Sequence, residues 1–205
     1  MPKRGYHHGN LRQALVEASL DLIEARGPAG FTLSEAAKQA GVTPAAVYRH
    51  FSGREDLIAE AARQGYEVFA DLMEYAYAKG QPSALASFES TGRAYIAFAR
   101  KYSGHYVAMF ESGISINHDA GLALAANRAL GILERAARDL SQNIPADRRP
   151  PAQMVSAHIW AMCHGVVELF ARGSPGTKSP FPPEELLEAG IGVYLRGLGL
   201  VPADS

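Results

Sequence analysis

Apolar residues recur every three or four positions along almost the whole chain, and no stretch shows the strict apolar–polar alternation of a half-buried strand. The pattern predicts helices throughout. The first carries Leu11, Leu15, Ala18 and Leu22 on one stripe, starts at Asn10 with Gln13 at its third position, and ends at Gly27-Pro28. Three further helix starts crowd into residues 31–58, FTLSEAAKQAGVTPAAVYRHFSGREDLI. Thr32-Leu33-Ser34-Glu35 fits a capping box, in which Thr accepts from the third amide and Glu reaches back to the Thr amide. That helix stops at Gly41, and Thr43-Pro44 restarts one with an N-cap Thr and a Pro where its missing N–H costs nothing. Ser52-Gly53-Arg54-Glu55 is a further capping box, and the helix it opens runs through Leu57, Ala61, Tyr66, Phe69, Met73 and Tyr77 to a break at Gly80-Gln81-Pro82.

Beyond Ser83 the helical pattern continues over residues 84–102. Gly104 separates this from a short apolar segment, HYVAMFES, and Gly113 follows. Residues 119–140 place Leu122, Leu130, Leu133, Ala137 and Leu140 on one face, and the DRRPP run at 147–151 is a turn. Helices over 152–172 and 184–198 close the chain, joined by GSPGTKSPFPP. The fold class is all-α. An N-terminal helix-turn-helix domain is expected over residues 1–58, and a larger helical ligand-binding and dimerisation domain over 59–205.

A helix, a tight turn through Gly41 and a second short helix form the helix-turn-helix signature. Val47 and Phe51, four apart, face inward, which leaves Ala45, Ala46, Tyr48, Arg49 and His50 toward solvent. Small residues let such a helix approach base edges, and an Arg takes guanine bidentately. Tyr48, His50 and Arg54 are suited to phosphates. The alternative is a helix pair inside a protein that never touches DNA.

Composition sharpens this. With a net charge of −1, bulk electrostatics do not drive nucleic-acid binding, so a local patch must. Up to residue 54, seven Lys and Arg face four carboxylates, an excess of +3, and the terminal Lys3 and Arg4 are placed to reach a minor groove or phosphates. His7 and His8 read as surface residues. The lone Cys163 excludes an intrachain disulfide and fits a reducing cytoplasm. No leader is expected, and no stretch is expected to approach the roughly 20 apolar residues that cross a bilayer.

Residues 6–58, from YHHGNLRQALVEASLDLI through GFTLSEAAKQAGVTPAAVYRHFSGREDLI, resemble the DNA-binding domain of the TetR family of one-component transcriptional regulators. The resemblance implies groove reading by Thr43, Pro44, Ala45, Ala46, Tyr48 and Arg49, and backbone contacts from Thr32, Tyr48, His50 and Arg54. Arg54 stands where the family usually has Lys, which keeps the charge and changes the hydrogen-bond geometry. Residues 160–165, WAMCHG, resemble the motif of one C-terminal class in that family, named for Trp-His-Gly.

Trp160, His164 and Glu168 are spaced four apart as one aromatic surface followed by two hydrogen-bonding groups. With Tyr95, Phe98, Tyr102, His105, Met109 and Phe110 they form a candidate wall for a small, mainly apolar effector. The competing reading is a dry core with His164 satisfied by a carbonyl. In the last helix Leu187, Ile191, Tyr194 and Leu198 make one apolar stripe, while Leu186, Val193 and Leu200 with Gly190 and Gly197 make a second. One side packs at home and the other needs a partner. With the small-residue stripe Ala157, Ala161 and Gly165, the stripe from Leu187 to Leu198 is the expected homodimer interface.

Such a dimer implies a palindromic operator, and the family usually represses until an effector releases it. No catalytic residue, cofactor or metal ligand set is expected. A helical enzyme using the scattered histidines, a redox sensor through Cys163 and a metal sensor are the alternatives; the first has no HExxH, nucleophile elbow or phosphate loop in its favour.

Overall fold

The computed structural model describes residues 11–172 and 179–202. The expectations for Lys3, Arg4, His7, His8 and Asn10 lie outside them, as do residues 173–178 of the Gly/Pro-rich connection. All regular structure among the described residues is helical: α1 (Leu11–Arg26), α2 (Leu33–Gln39), α3 (Pro44–Val47), α4 (Arg54–Gly80), α5 (Ala84–Lys101), α6 (Ser103–Phe110), α7 (Ala120–Leu140), α8 (Ala152–Val166) and α9 (Pro183–Gly197). A 3-10 turn at Ala146–Arg148 lies before α8, and a π turn at Val167–Ala171 extends it.

Contacts divide the chain into two compact units. The first comprises the residues up to Tyr66 together with Tyr102–Ala125, and the second comprises Glu67–Lys101 and Ala126–Ser205. The division therefore does not follow the sequence boundary expected at residue 58. The first stretch of α4 belongs to one unit and the remainder to the other, and residues after Tyr102 return to the first.

In the first unit α1, α2 and α3 close around Leu15, Val16, Ala36, Ala37, Val47 and Leu57, each with no exposed surface. The stops are glycines with positive φ, Gly27 at 78° and Gly41 at 73°, a region that only a residue without a Cβ enters freely. After Gly41 the Val42 amide returns to the Ala37 carbonyl at 2.9 Å, which closes α2. Helix α6 lies against α1, and Gly104 is its second residue rather than the break before it. The break falls at Tyr102 (φ −121°, ψ 48°). A Cβ on Gly104 would sit 2.9 Å from the Leu20 carbonyl oxygen, so the glycine permits the close α1–α6 approach.

In the second unit Phe69 is fully buried at the centre of an aromatic cluster, 5.1 Å from Tyr95, 4.9 Å from Phe98 and 6.0 Å from Trp160 between ring centroids. Leu187, Ile191 and Leu195 line the inner side of α9. The stretch Ala152–Ala171 is, contrary to expectation, long and apolar enough by length and composition to cross a bilayer. Its alanines, Met154, Met162 and Cys163 raise its mean hydropathy; one stripe, Val155, Ile159, Cys163 and Val167, is buried in the protein itself, while the rest of the segment is half-buried or exposed.

Candidate nucleic-acid interface and effector cleft

The recognition segment is short. Only Pro44–Val47 is α-helical, and residues 48–50 continue as a turn in which the His50 and Phe51 amides both return to the Val47 carbonyl, at 2.9 and 3.0 Å. Val47 (0% exposed) and Phe51 (3%) anchor it inward, and Tyr48 is 63% exposed. Thr43, Pro44, Ala45, Arg49 and His50 are exposed beside it, with Ala46 half-buried. Thr43 occupies the N-cap position, yet its hydroxyl makes no cap hydrogen bond and stays available. No ion pair among the described residues engages Arg49.

Thr32 does form its expected capping box. Its hydroxyl accepts from the Glu35 amide at 3.2 Å, and Glu35 accepts from the Thr32 amide at 2.9 Å. The bonds that its carboxylate accepts from the Thr32 amide, from Arg26 at 2.8 Å and from the Thr32 hydroxyl at 3.0 Å hold the Glu35 carboxyl below its ordinary range.

Two local expectations need correction. At the start of α4 the carboxylate that reaches back is Asp56, not Glu55: Asp56 Oδ2 accepts from the Ser52 amide at 3.1 Å while Glu55 stays exposed. Arg54 is also not simply a free phosphate ligand, since its Nη1 donates to the carbonyls of Ala29 (3.0 Å) and Phe31 (3.5 Å) and ties down the α1–α2 link.

The basic patch is likewise smaller than the charge count implies. Arg26 is paired with Glu35, and Arg12 donates to Glu60 at 2.9 Å and to the His50 carbonyl at 3.2 Å while lying 4.7 Å from the centre of the Phe51 ring. Glu60, 8% exposed, also accepts from Arg63 at 2.7 and 2.9 Å and from Gln64 at 2.9 Å. Burial alone would raise its pKa, but the bonds from Arg63, Gln64 and Arg12 overcome this and hold it at about 2. Periodicity marks position 60 as a buried face of α4; it does not show that Arg12 of α1 joins Arg63 and Gln64 of α4 as partners for a charge there.

The expected effector wall is divided between the two units. Tyr102, His105, Met109 and Phe110 belong to the first, where His105 Nδ1 meets the Ala61 carbonyl at 2.9 Å and burial lowers the imidazole pKa. Tyr95, Phe98, Trp160, His164 and Glu168 belong to the second. There Tyr95 (2% exposed) and Phe98 (0%) are packed core, and the Tyr95 hydroxyl meets His164 Nδ1 at 2.9 Å. Glu168 stands in the π turn and pairs with Arg172 at 3.4 Å.

Open space lies on another side of Trp160, in a mainly apolar cleft of about 340 Å³ lined by Leu130, Leu133 and Glu134 of α7 and Gln153, Ser156, Ala157 and Trp160 of α8. Sequence reasoning missed most of this lining. The 153, 156, 157, 160 spacing was a legible signal, whereas Leu130 reads only as a member of an apolar stripe and its 39% exposure appears in the fold alone.

The dimer stripe needs a correction too. Leu187 (2% exposed) and Ile191 (3%) face inward, each 3.5 Å from where a Cβ on Gly92 of α5 would be. The surface instead carries the second stripe, with Val193 66% exposed and Gly197 exposed. Ala157 and Ala161 are exposed on α8, which is joined to α9 by a 2.8 Å hydrogen bond between His158 Nδ1 and the Tyr194 hydroxyl. Cys163 is 2% exposed, and burial pushes its thiol up to about 12, so it is a poor nucleophile.

Comparison with known proteins agrees with this geometry. Residues 15–61 match the profile described as "Bacterial regulatory proteins, tetR family", and residues 88–194, just over half of the chain, match "Tetracyclin repressor-like, C-terminal domain". The HTH-type transcriptional regulator SrpR of Pseudomonas putida is 40% identical over 47 residues, which is 23% of this chain and 22% of that protein. A solved structure of a protein of unknown function from Rhodococcus sp. RHA1 shares 25% identity with a TM-score of 0.78, covering 95% of this chain and 98% of that one. AibR, solved with isovaleryl coenzyme A and operator DNA, shares the fold at 18% identity and a TM-score of 0.65, with 89% and 97% covered. The exposed recognition segment over its buried anchors and the two matched profiles make this chain a member of the TetR family, a DNA-binding transcriptional regulator.

Proposed function

We propose that the protein is a homodimeric repressor that reads a palindromic operator through Thr43–His50 and leaves it when a small, mainly apolar effector binds in the second unit. One observation carries the operator reading: Thr43, Ala45, Tyr48, Arg49 and His50 are presented together over Val47 and Phe51, a surface without use in a helix pair that only packs. Tyr48 and His50 serve phosphates, and Thr43 and Arg49 serve base edges. The α7–α8 cleft beside Trp160 is the effector site we favour, with Glu134, Gln153 and Ser156 as its polar groups. AibR, whose structure holds both a coenzyme A thioester and operator DNA, offers a precedent within the fold. Across a dimer, two recognition segments must meet major grooves about 34 Å apart, and an effector that favours another arrangement lowers operator affinity.

Binding of the purified protein to DNA fragments flanking its own coding region, followed by fluorescence anisotropy at two salt concentrations, tests this. A tight palindromic site is expected, with Arg49→Ala weakening it by roughly 5- to 150-fold and relaxing the sequence preference. Failure to recover any preferred sequence from a genome-wide selection, with and without candidate effectors, would overturn the operator reading. No change at saturating effector would overturn the release mechanism alone.

A further inference from the structure

Behind the recognition segment lies a polar cleft of about 360 Å³, wholly inside the first unit, lined by Arg12, His50, Phe51, Asp56, Glu60, His118 and Asp119. It joins three parts of the chain: α1, the turn after α3 with the start of α4, and the segment between α6 and α7. Asp56 is divided between two of them. Its Oδ2 accepts from the Ser52 amide at 3.1 Å, and its Oδ1 meets His118 Nε2 at 3.0 Å.

The Ser52 amide follows the recognition segment directly, so this carboxylate fixes where the segment ends and α4 begins. His118 in turn fixes the carboxylate. The segment that carries it is itself anchored, since the His118 amide returns to the Ser115 carbonyl at 2.9 Å and Asp119 Oδ1 accepts from the Leu122 amide at 2.9 Å.

We propose that His118 is a positioning residue for operator binding: its imidazole holds Asp56 in the rotamer that caps the turn behind the recognition segment. A hydrogen bond to a carboxylate is stronger than one between neutral groups, which favours the ordered end of the recognition segment. The hydrogen bonds from Ser52 and His118 keep the Asp56 carboxyl below its ordinary range, so both groups bind an anion.

The other charged groups on the cleft have partners of their own: Glu60 is shared by Arg12 and Arg63, and Asp119 accepts from the Leu122 amide at the start of α7. His118 is the side chain that reaches Asp56 from the segment between α6 and α7.

The inference rests on operator binding by the recognition segment, and its test is separable from that reading. Wild-type protein binding its operator at about pH 8, against a sequence-scrambled duplex, tests the operator reading by itself. The proposal is read from His118→Gln, which keeps a hydrogen-bond donor, and from His118→Phe, which does not. His118→Gln should bind the operator as wild type does, while His118→Phe should bind it about two- to fivefold more weakly with an unchanged melting temperature. If His118→Phe keeps the wild-type affinity, if His118→Gln loses as much as His118→Phe, or if the loss is matched by a lower melting temperature, the proposal is overturned.

Discussion

At the scale of single residues, the first unit depends on one buried acid. Glu60 accepts from Arg12, Arg63 and Gln64 and reaches α1 from α4, so its removal leaves cations facing a space built for a carboxylate. Glu60→Gln should destabilise the protein by about 1–3 kcal/mol, the exposed half of Arg12 limiting the loss, as measured by urea unfolding near neutral pH. An unfolding midpoint equal to wild type would mean that water replaces these bonds without cost. The pH dependence has a definite sign. Because the folded pKa of about 2 lies below the ordinary 4.5, the unfolded chain binds the proton more readily. The stabilisation is therefore complete above about 4.5 and lost as the pH falls toward about 2, and in Glu60→Gln this part of the acid destabilisation should be missing. Position 60 was legible only as a place on a helical face. The partners lie 3, 4 and 48 residues away, and the most distant of them cannot be found by periodicity.

At the scale of elements, glycine has two different uses. Gly27 and Gly41 end helices with positive φ, a local property that sequence reveals because the adjoining caps point to the same boundary. Gly104 is different. It reads as a separator, yet it lies inside α6 because the backbone of α1 passes close to it. Gly104→Ala should push α6 away from Leu20 and cost about 1–3 kcal/mol, seen as a lower melting temperature. The nearest atom is a backbone carbonyl oxygen, so no side-chain rotation relieves the contact. A melting temperature equal to wild type would show that α6 can shift freely on α1. The α9 stripes illustrate the same distinction between pattern and packing: both were visible, but α5 and Gly92 decide which of them is interior.

At the scale of the whole molecule, the proposed assembly follows from that choice. Val193 is 66% exposed on the outer stripe of α9, and Ala157 and Ala161 leave α8 flat enough for a close helix approach. Val193→Glu should change monomer stability by no more than about 0.5 kcal/mol while shifting the protein toward monomer in sedimentation equilibrium. Operator affinity should fall about tenfold or more, because two linked half-site contacts become independent ones. A dimer that persists with wild-type affinity would place the interface elsewhere.

The sequence by itself determined that the chain is helical, where most helices start and stop, and which residues the recognition segment presents. Each of these depends on neighbours within about four positions, where capping, glycine conformation and the 3.6-residue period act. It also determined the family, because the motifs around Thr32–Arg54 are contiguous. Tertiary structure decided what depends on contacts between distant segments: that Asp56 rather than Glu55 caps α4, that Arg12 and Arg26 are spent on intrachain pairs, and that Leu187 and Ile191 are core. It also placed the open space beside Trp160 between α7 and α8, rather than within the aromatic cluster of Tyr95 and Phe98. An apolar residue reads alike in sequence whether it lines a cavity or fills one, since only the helices packed against it decide whether space remains.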